Sequence, residues 1–340
     1  MALFGVAVLA RPVQDPFASR ASAVLAGQPA PHSAGARVQA AVELLATLDE
    51  EQRVALQLGL QDGERRRWTN LPPDARARGL RLGDCDGVQL AAVAGLLHAV
   101  LGESGYRKMV HVLLGDDVLW EQGGRRRGGL GVAETRLVLF GEPTLDGPWA
   151  LQLDGHHVGA NVALEGEEVE LSPYFIGAQP EVFEVAGERL QPMLREVELA
   201  LALVRGLEPE RRSRAVVSES PGNLVSGPGA DGQVPEPVGL AVADLGATDK
   251  ESLLELISCW VDDLPPAHAA ARLVRLEQEL ERMHLAWWGS LEEGGGFSYR
   301  IQGPTLLIEF ACVGPPGAPR DHLHSMYRNL TNEYGGQLDH

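Results

Sequence analysis

Within residues 134–172 four short apolar runs follow one another: Arg136-Leu-Val-Leu-Phe140, Trp149-Ala-Leu-Gln-Leu153, His157 to Leu164 and Glu168-Val-Glu-Leu171. Gly, Asp and Pro separate them, which is the pattern of antiparallel strands joined by tight connections. Gly166 sits where a hairpin turn is needed between the third and fourth runs. A second pair, Phe297–Ile301 and Thr305–Ala311, is joined by Gln302-Gly303-Pro304. Neither block alone can bury a sheet face, so the two are expected in one domain.

Helical patterns lie around these blocks. One begins at Val38, and Thr47 with Glu50 reads as a capping box for a second through about Gly59. Residues 86–101 form an amphipathic pattern that resumes from Gly105 to Trp120. Further helices are expected over Gly187–Gly206, from a Thr248–Glu251 box to Pro265, and over 267–286. Elements arrive in blocks rather than strict alternation, so the fold class is α+β, an antiparallel sheet with flanking helices. Residues 1–36 read as a loosely attached arm and 37–340 as a single domain with a long loop near 207–237, mobile over 218–237. No internal repeat is visible.

The chain has 340 residues, 44% hydrophobic and 22% charged, and a net charge of −18. So acidic a chain disfavours nucleic acid and anionic membranes as partners. No run approaches the length of a spanning helix, and Met1–Ala10 lacks a basic leader, so the expected location is cytoplasmic. The three cysteines, Cys85, Cys259 and Cys312, form no metal-binding pair and read as buried thiols. Lys108 and Lys250 are the only lysines, and arginine triplets stand at 65–67 and 125–127. Guanidinium forks suit carboxylate or phosphate, which makes an anionic small ligand conceivable.

Four of the ten histidines fall into two tight groups, Gly155-His156-His157 with Asn161 close behind, and Asp321-His322-Leu-His324. In an extended segment the i, i+2 spacing places His322 and His324 on one side. A third imidazole, from His156 or His157, would complete a site for zinc, copper or iron. Structural histidines in a polar core are the alternative. His98, His111 and His284 lie in helical patterns and read as packed. Arg300 and Glu309 stand inside apolar strands of one hairpin, where a charge must be paired, coordinated or turned to a cavity. A cross-strand pair is one reading; an anion clamp at Arg300 and a ligand or general base at Glu309 is the other. No P-loop or GxSxG motif is present, and no GxGxxG follows a strand.

The stretches Arg67-Trp-Thr-Asn-Leu-Pro72, Phe140-Gly-Glu-Pro143, Gly155-His-His157, Pro173-Tyr-Phe-Ile-Gly177, Ala286-Trp-Trp-Gly289, Tyr299-Arg-Ile-Gln-Gly-Pro304, His322-Leu-His324, Arg328 and Asn332-Glu-Tyr-Gly335 resemble the uncharacterised family DUF3500. The resemblance implies one module on which these polar signatures converge. The resulting expectation is a metal-dependent enzyme acting on a small, anionic molecule. His156 or His157, with His322 and His324, would hold a divalent metal; Glu309 and Arg300 would be catalytic; Arg67, Trp68, Asn161 and Arg328 would bind substrate. Hydrolysis stands ahead of oxidation because it needs no external reductant. The rival is a non-catalytic ligand-binding or scaffold protein.

Overall fold

The computed structural model describes residues 22, 25, 31–71, 78–123 and 130–336. The triplet Arg125-Arg126-Arg127 and most of the arm assigned to 1–36 lie outside the described residues. The 134–172 block forms the expected meander, β3 (Arg136–Phe140), β4 (Pro148–Asp154), β5 (Val158–Glu165) and β6 (Glu168–Ala178), each antiparallel to the last. Gly166 turns the last hairpin with φ of +52°, a backbone region open to glycine.

Strand β6 runs well beyond the expected Leu171, through Pro173. Proline has no N–H to donate, which is why the sequence suggested a stop there. The neighbouring strand accommodates it with a register shift between Ala160 and Val162. The displaced residue, Asn161, donates its amide to the Pro173 carbonyl (2.8 Å), patching the ladder.

The second meander is β11 (His284–Gly289), β12 (Phe297–Gln302), β13 (Leu306–Cys312) and β14 (Leu323–Asn329), and β14 pairs with β6 from Leu323↔Ala178 to Tyr327↔Tyr174. Short strands complete the sheet: β1 (Gln57–Leu58) parallel to β3, β2 (Leu80–Arg81) on β3, β9 (Val216–Ser218) parallel to β11, and β10 (Leu240–Ala241) on β11. The result is one twelve-stranded mixed sheet in an α+β fold.

Among the described residues there are eight α-helices: α1 (Ala34–Thr47), α2 (Glu50–Leu56), α3 (Gly87–Val100), α4 (Glu103–Gly123), α5 (Leu194–Gly206), α6 (Pro209–Ala215), α7 (Ala247–Val261) and α8 (Pro266–Glu279). Several expected boundaries shift. The box that starts α2 is Asp49 with Gln52, while the Thr47 hydroxyl bonds back to Leu44. Gly246 caps α7, with no side-chain bond from a Thr248–Glu251 box. The helix expected over 187–206 begins only at Leu194, because Ala186 and Gly187 adopt positive φ and turn a hairpin between β7 (Phe183–Val185) and β8 (Glu188–Leu190). The helix expected over 267–286 stops at Glu279, and His284 through Trp288, rich in bulky strand formers, joins the sheet.

Each half repeats one order of elements, a repeat that residue identities had hidden. A short helix (α2, α6) leads to a strand (β1, β9) parallel to the first strand of a meander. A second short strand (β2, β10), a 3-10 turn (Leu82–Asp84, Val242–Asp244) and two helices precede four antiparallel strands. The strand order β1-β3-β4-β5-β6-β14-β13-β12-β11 is therefore nearly palindromic about the β6–β14 pair. Gly79 and Gly239, both at positive φ, lead into β2 and β10 where a Cβ would strike the adjacent strand's backbone (2.8 Å from Leu137 O, 2.3 Å from Leu285 O).

One sheet face is apolar: Leu137, Leu151, Ile176, Tyr327, Phe310 and Trp287 share a core with helix residues such as Leu97, Leu113, Val197 and Ile257. Register places Gln152, Asn161, Phe175, His324, Glu309 and Arg300 on the opposite face. The stretch expected as a mobile loop crosses that face. It is pinned there by Gly222 N to Ser298 Oγ (2.9 Å), Ser226 N to Glu309 (2.9 Å) and Arg328 to the Gln233 carbonyl (2.7 Å). No helix among the described residues is long and apolar enough to cross a membrane.

Candidate metal centre

The β4–β5 turn and the start of β14 meet at one end of the sheet. The turn closes through Gly155 N to Val158 O (2.7 Å), and the His157 carbonyl accepts from Gly177 N (2.9 Å) at the end of β6. Pro319 opens a short 3-10 turn through Asp321, after which His322 is extended (φ −140°, ψ 114°) and His324 lies within β14. The two imidazoles thus share one side, as the i, i+2 spacing suggested. His324 is paired with Gly177, whose missing Cβ makes room: a methyl there would stand 2.9 Å from His157 Cδ2 and 3.2 Å from His324 Cδ2.

The structure brings His157, His322 and His324 together, with one ring nitrogen of each lying within 4.8 Å of the others. His157 Nε2 is 2.9 Å from His322 Nε2. His157 is fully buried, while His322 and His324 are half-buried. His156 turns aside: its Nδ1 meets Asp116 (3.2 Å), which also receives His157 Nδ1 at 2.5 Å. Asp116, His156 and His157 form a second compact group.

The electrostatics favour neutral imidazoles. Burial, and then the neighbouring imidazoles, bring His322 down to about 3 and His324 down to about 2. Burial also lowers His157, against the pull of the Asp116 carboxylate. Burial pushes Asp116 upward, but the charge and hydrogen bonds of His157 and His156 outweigh it and bring it to about 2. A carboxylate on Nδ1 holds His157 in the tautomer whose Nε2 lone pair faces the other two rings.

Sequence reasoning missed Asp116. Its signal was a charge on the buried face of α4, at helical spacing between Leu113 and Leu119. In the second half, the turn corresponding to Gly155–His157 is Gly303–Thr305. There Thr305 donates to Glu279 of α8 (2.7 Å), so the imidazoles occupy one end of the duplicated sheet only.

The remaining candidates are engaged by the chain itself. Arg300 reaches Glu309 Oε1 through Nε (3.0 Å) and Nη2 (2.9 Å). Glu309 Oε2 accepts from the Val225 and Ser226 amides (3.1 and 2.9 Å) and the Ser226 hydroxyl. The cross-strand pair is therefore formed, and Glu309 belongs to neither histidine group. Arg328 is buried, forking onto Glu333. Asn161 accepts from Gln152 (2.7 Å) besides bridging to Pro173. Arg67 is 74% exposed and pairs with Glu64 (3.1 Å).

Trp68 is buried, donating to the Tyr334 hydroxyl (3.0 Å) and packing against Phe175 (centroids 6.3 Å apart). Phe175 in turn meets the His324 ring edge-on at 5.1 Å. Trp68 is thus one layer removed from the imidazoles. Gly159 leaves it space, since a Cβ there would stand 2.4 Å from Trp68 Cε3. Gly159→Ala is expected to displace the indole and lower stability by about 1–3 kcal/mol. Urea unfolding followed by tryptophan fluorescence checks both effects, and an unchanged midpoint would show that the contact is loose.

No curated protein and no solved structure matches the chain. The family model described as "Protein of unknown function (DUF3500)" matches residues 31–336, a span that holds every strand of the sheet and all four clustered histidines. With that match over nearly its whole length, the chain belongs to the DUF3500 family.

Proposed function

We propose that His157, His322 and His324 hold one divalent transition metal and that the protein is a metal-dependent enzyme acting on a small molecule. The observation that carries this reading is the convergence of three neutral imidazoles from two segments far apart in the chain, one of them oriented by a buried carboxylate. Nitrogens bonded to one metal at about 2.0–2.1 Å lie about 3 Å apart, close to the His157–His322 separation. Three histidines suit zinc, copper or iron and leave coordination positions open. A bound ion would supply Lewis acidity near neutral pH, and hydrolysis remains ahead of oxidation because it calls for no reductant. Asp116 would orient His157, and His156 would share that carboxylate at the half-open side. The arginines first assigned to substrate are engaged elsewhere, so this reading does not fix the substrate's charge.

The direct His157–His322 contact also suits a purely structural network in a non-catalytic protein. Metal content separates the two. Untagged protein, supplemented with zinc, copper or iron and then desalted, is expected to retain about one equivalent of one metal by elemental analysis. Retention below about a tenth of an equivalent of each would reject the metalloenzyme reading in favour of the structural one.

A further inference from the structure

In this strongly acidic chain the sign of the charge reverses in one cleft. A cleft of about 480 Å³ opens between the first turns of α4 and the segment that carries β8 into α5. Its lining holds Arg107, Lys108, Arg189 and Arg195 against Glu188 and Glu196, four basic groups to two acidic ones in a chain of net charge −18. Lys108 is shared between Glu196 and Asp263, each at 2.8 Å, so three guanidinium groups stand against Glu188 and the one excess carboxylate of that buried cluster. Arg107 and Arg189 are exposed and have no ion-pair partner among the described residues. Arg195 reaches Glu255 only at 3.7 Å, with both side chains 57% exposed, a contact that solvent largely screens.

His111 also lines the cleft and is one of the groups exposed to its charges. Burial first, and then the Arg107 charge, hold this imidazole below its ordinary value against the opposing pull of Glu188. The N-terminus of α5 borders the same space with no side chain capping it, so its dipole adds to the positive sign.

We propose that this cleft binds a small multivalent oxyanion, an organic phosphate or a polycarboxylate, gripped by Arg107, Arg189 and Arg195. Planar guanidinium forks match paired anionic oxygens, and they reach the cleft from two separate segments, so a ligand with several charges can bridge them. The volume is that of an ordinary metabolite pocket. None of its lining residues belongs to the histidine groups, so the proposal stands independently of a metal.

The test is titration of the chelator-treated protein with pyrophosphate and, separately, citrate at about 50 mM ionic strength, with the His111 ring signals followed by NMR. At least one anion is expected to bind with Kd below about 1 mM and to raise the pH at which His111 titrates, by countering Arg107. Tighter pyrophosphate points to organic phosphates, and tighter citrate to polycarboxylates. The double variant Arg107→Ala, Arg189→Ala should weaken binding at least about tenfold with an unchanged circular dichroism spectrum, since both side chains are exposed. Replacing His324 should leave anion affinity as it was. A Kd above about 1 mM for both anions, or equal affinity in the double variant, overturns the proposal.

Discussion

Lys108→Met is expected to destabilise the protein by about 3–5 kcal/mol, a large fraction of the stability of an ordinary fold. The Lys108 ammonium is buried in α4, 2.8 Å from Glu196 of α5 and 2.8 Å from Asp263 after α7, and it also meets the Cys259 carbonyl. Burial alone would drive its proton off, but the two carboxylates outweigh that and hold it charged. Asp263 shows the strain on the other side: burial pushes it up to about 6 even with the ammonium present. Without the lysine, two buried carboxylates face each other unpaired, and at least one must take a proton or draw in water. Adding Glu196→Gln to Lys108→Met should recover part of the loss by removing one of those charges. Urea midpoints of the single and double variants measure both effects at pH 7. A loss below about 1 kcal/mol for the single variant would mean that water reaches the cluster freely.

The parts of this fold that were legible in sequence are those set by local rules. Short apolar runs broken by Gly, Asp and Pro marked β3 through β5, and glycine marked the Gly166 turn, because breakers and positive φ act within a few residues. The HxH spacing showed how His322 and His324 would project, and Arg300 with Glu309 read correctly as a possible pair. What stayed hidden depends on distant residues. Strand β6 continues through Pro173, where the Asn161 side chain from β5 donates to the proline carbonyl. His284–Gly289 belongs to the sheet because β12 lies beside it; alone, its apolar run also fits a helix. The duplication survives in glycines at matched positions with positive φ, Gly79 with Gly239 and Gly141 with Gly289, and in short traces such as Leu80 and Asp84 beside Leu240 and Asp244. Asp116 was invisible as a partner of His157 because the two are joined only by the packing of α4 on the sheet.

Loss of one imidazole provides the sharpest test of the histidine centre. His324→Ala is expected to lower metal affinity by more than about a hundredfold, because a two-histidine remnant cannot enclose an ion. Asp116→Asn should give a graded loss of about 10–100-fold: the amide keeps the shape but not the charge that orients His157 and raises its basicity as a ligand. Competition with a chromophoric chelator reads both affinities, and an Asp116→Asn value within about twofold of the wild type would remove the carboxylate from the centre. A second measurement needs no metal. The folded chain holds His324 far below the ordinary histidine value, so the unfolded chain binds a proton first as pH falls below about 6.5. Stability is therefore fully present above that pH and is lost progressively toward the folded value near 2. For each such histidine the slope is about 1.4 kcal/mol per pH unit, so metal-free His324→Ala should lose stability less steeply between about pH 6 and 4 than the wild type. Parallel slopes would mean that His324 protonates as readily in the folded chain as in the unfolded one, and that the three imidazoles are not packed as closely as the structure places them.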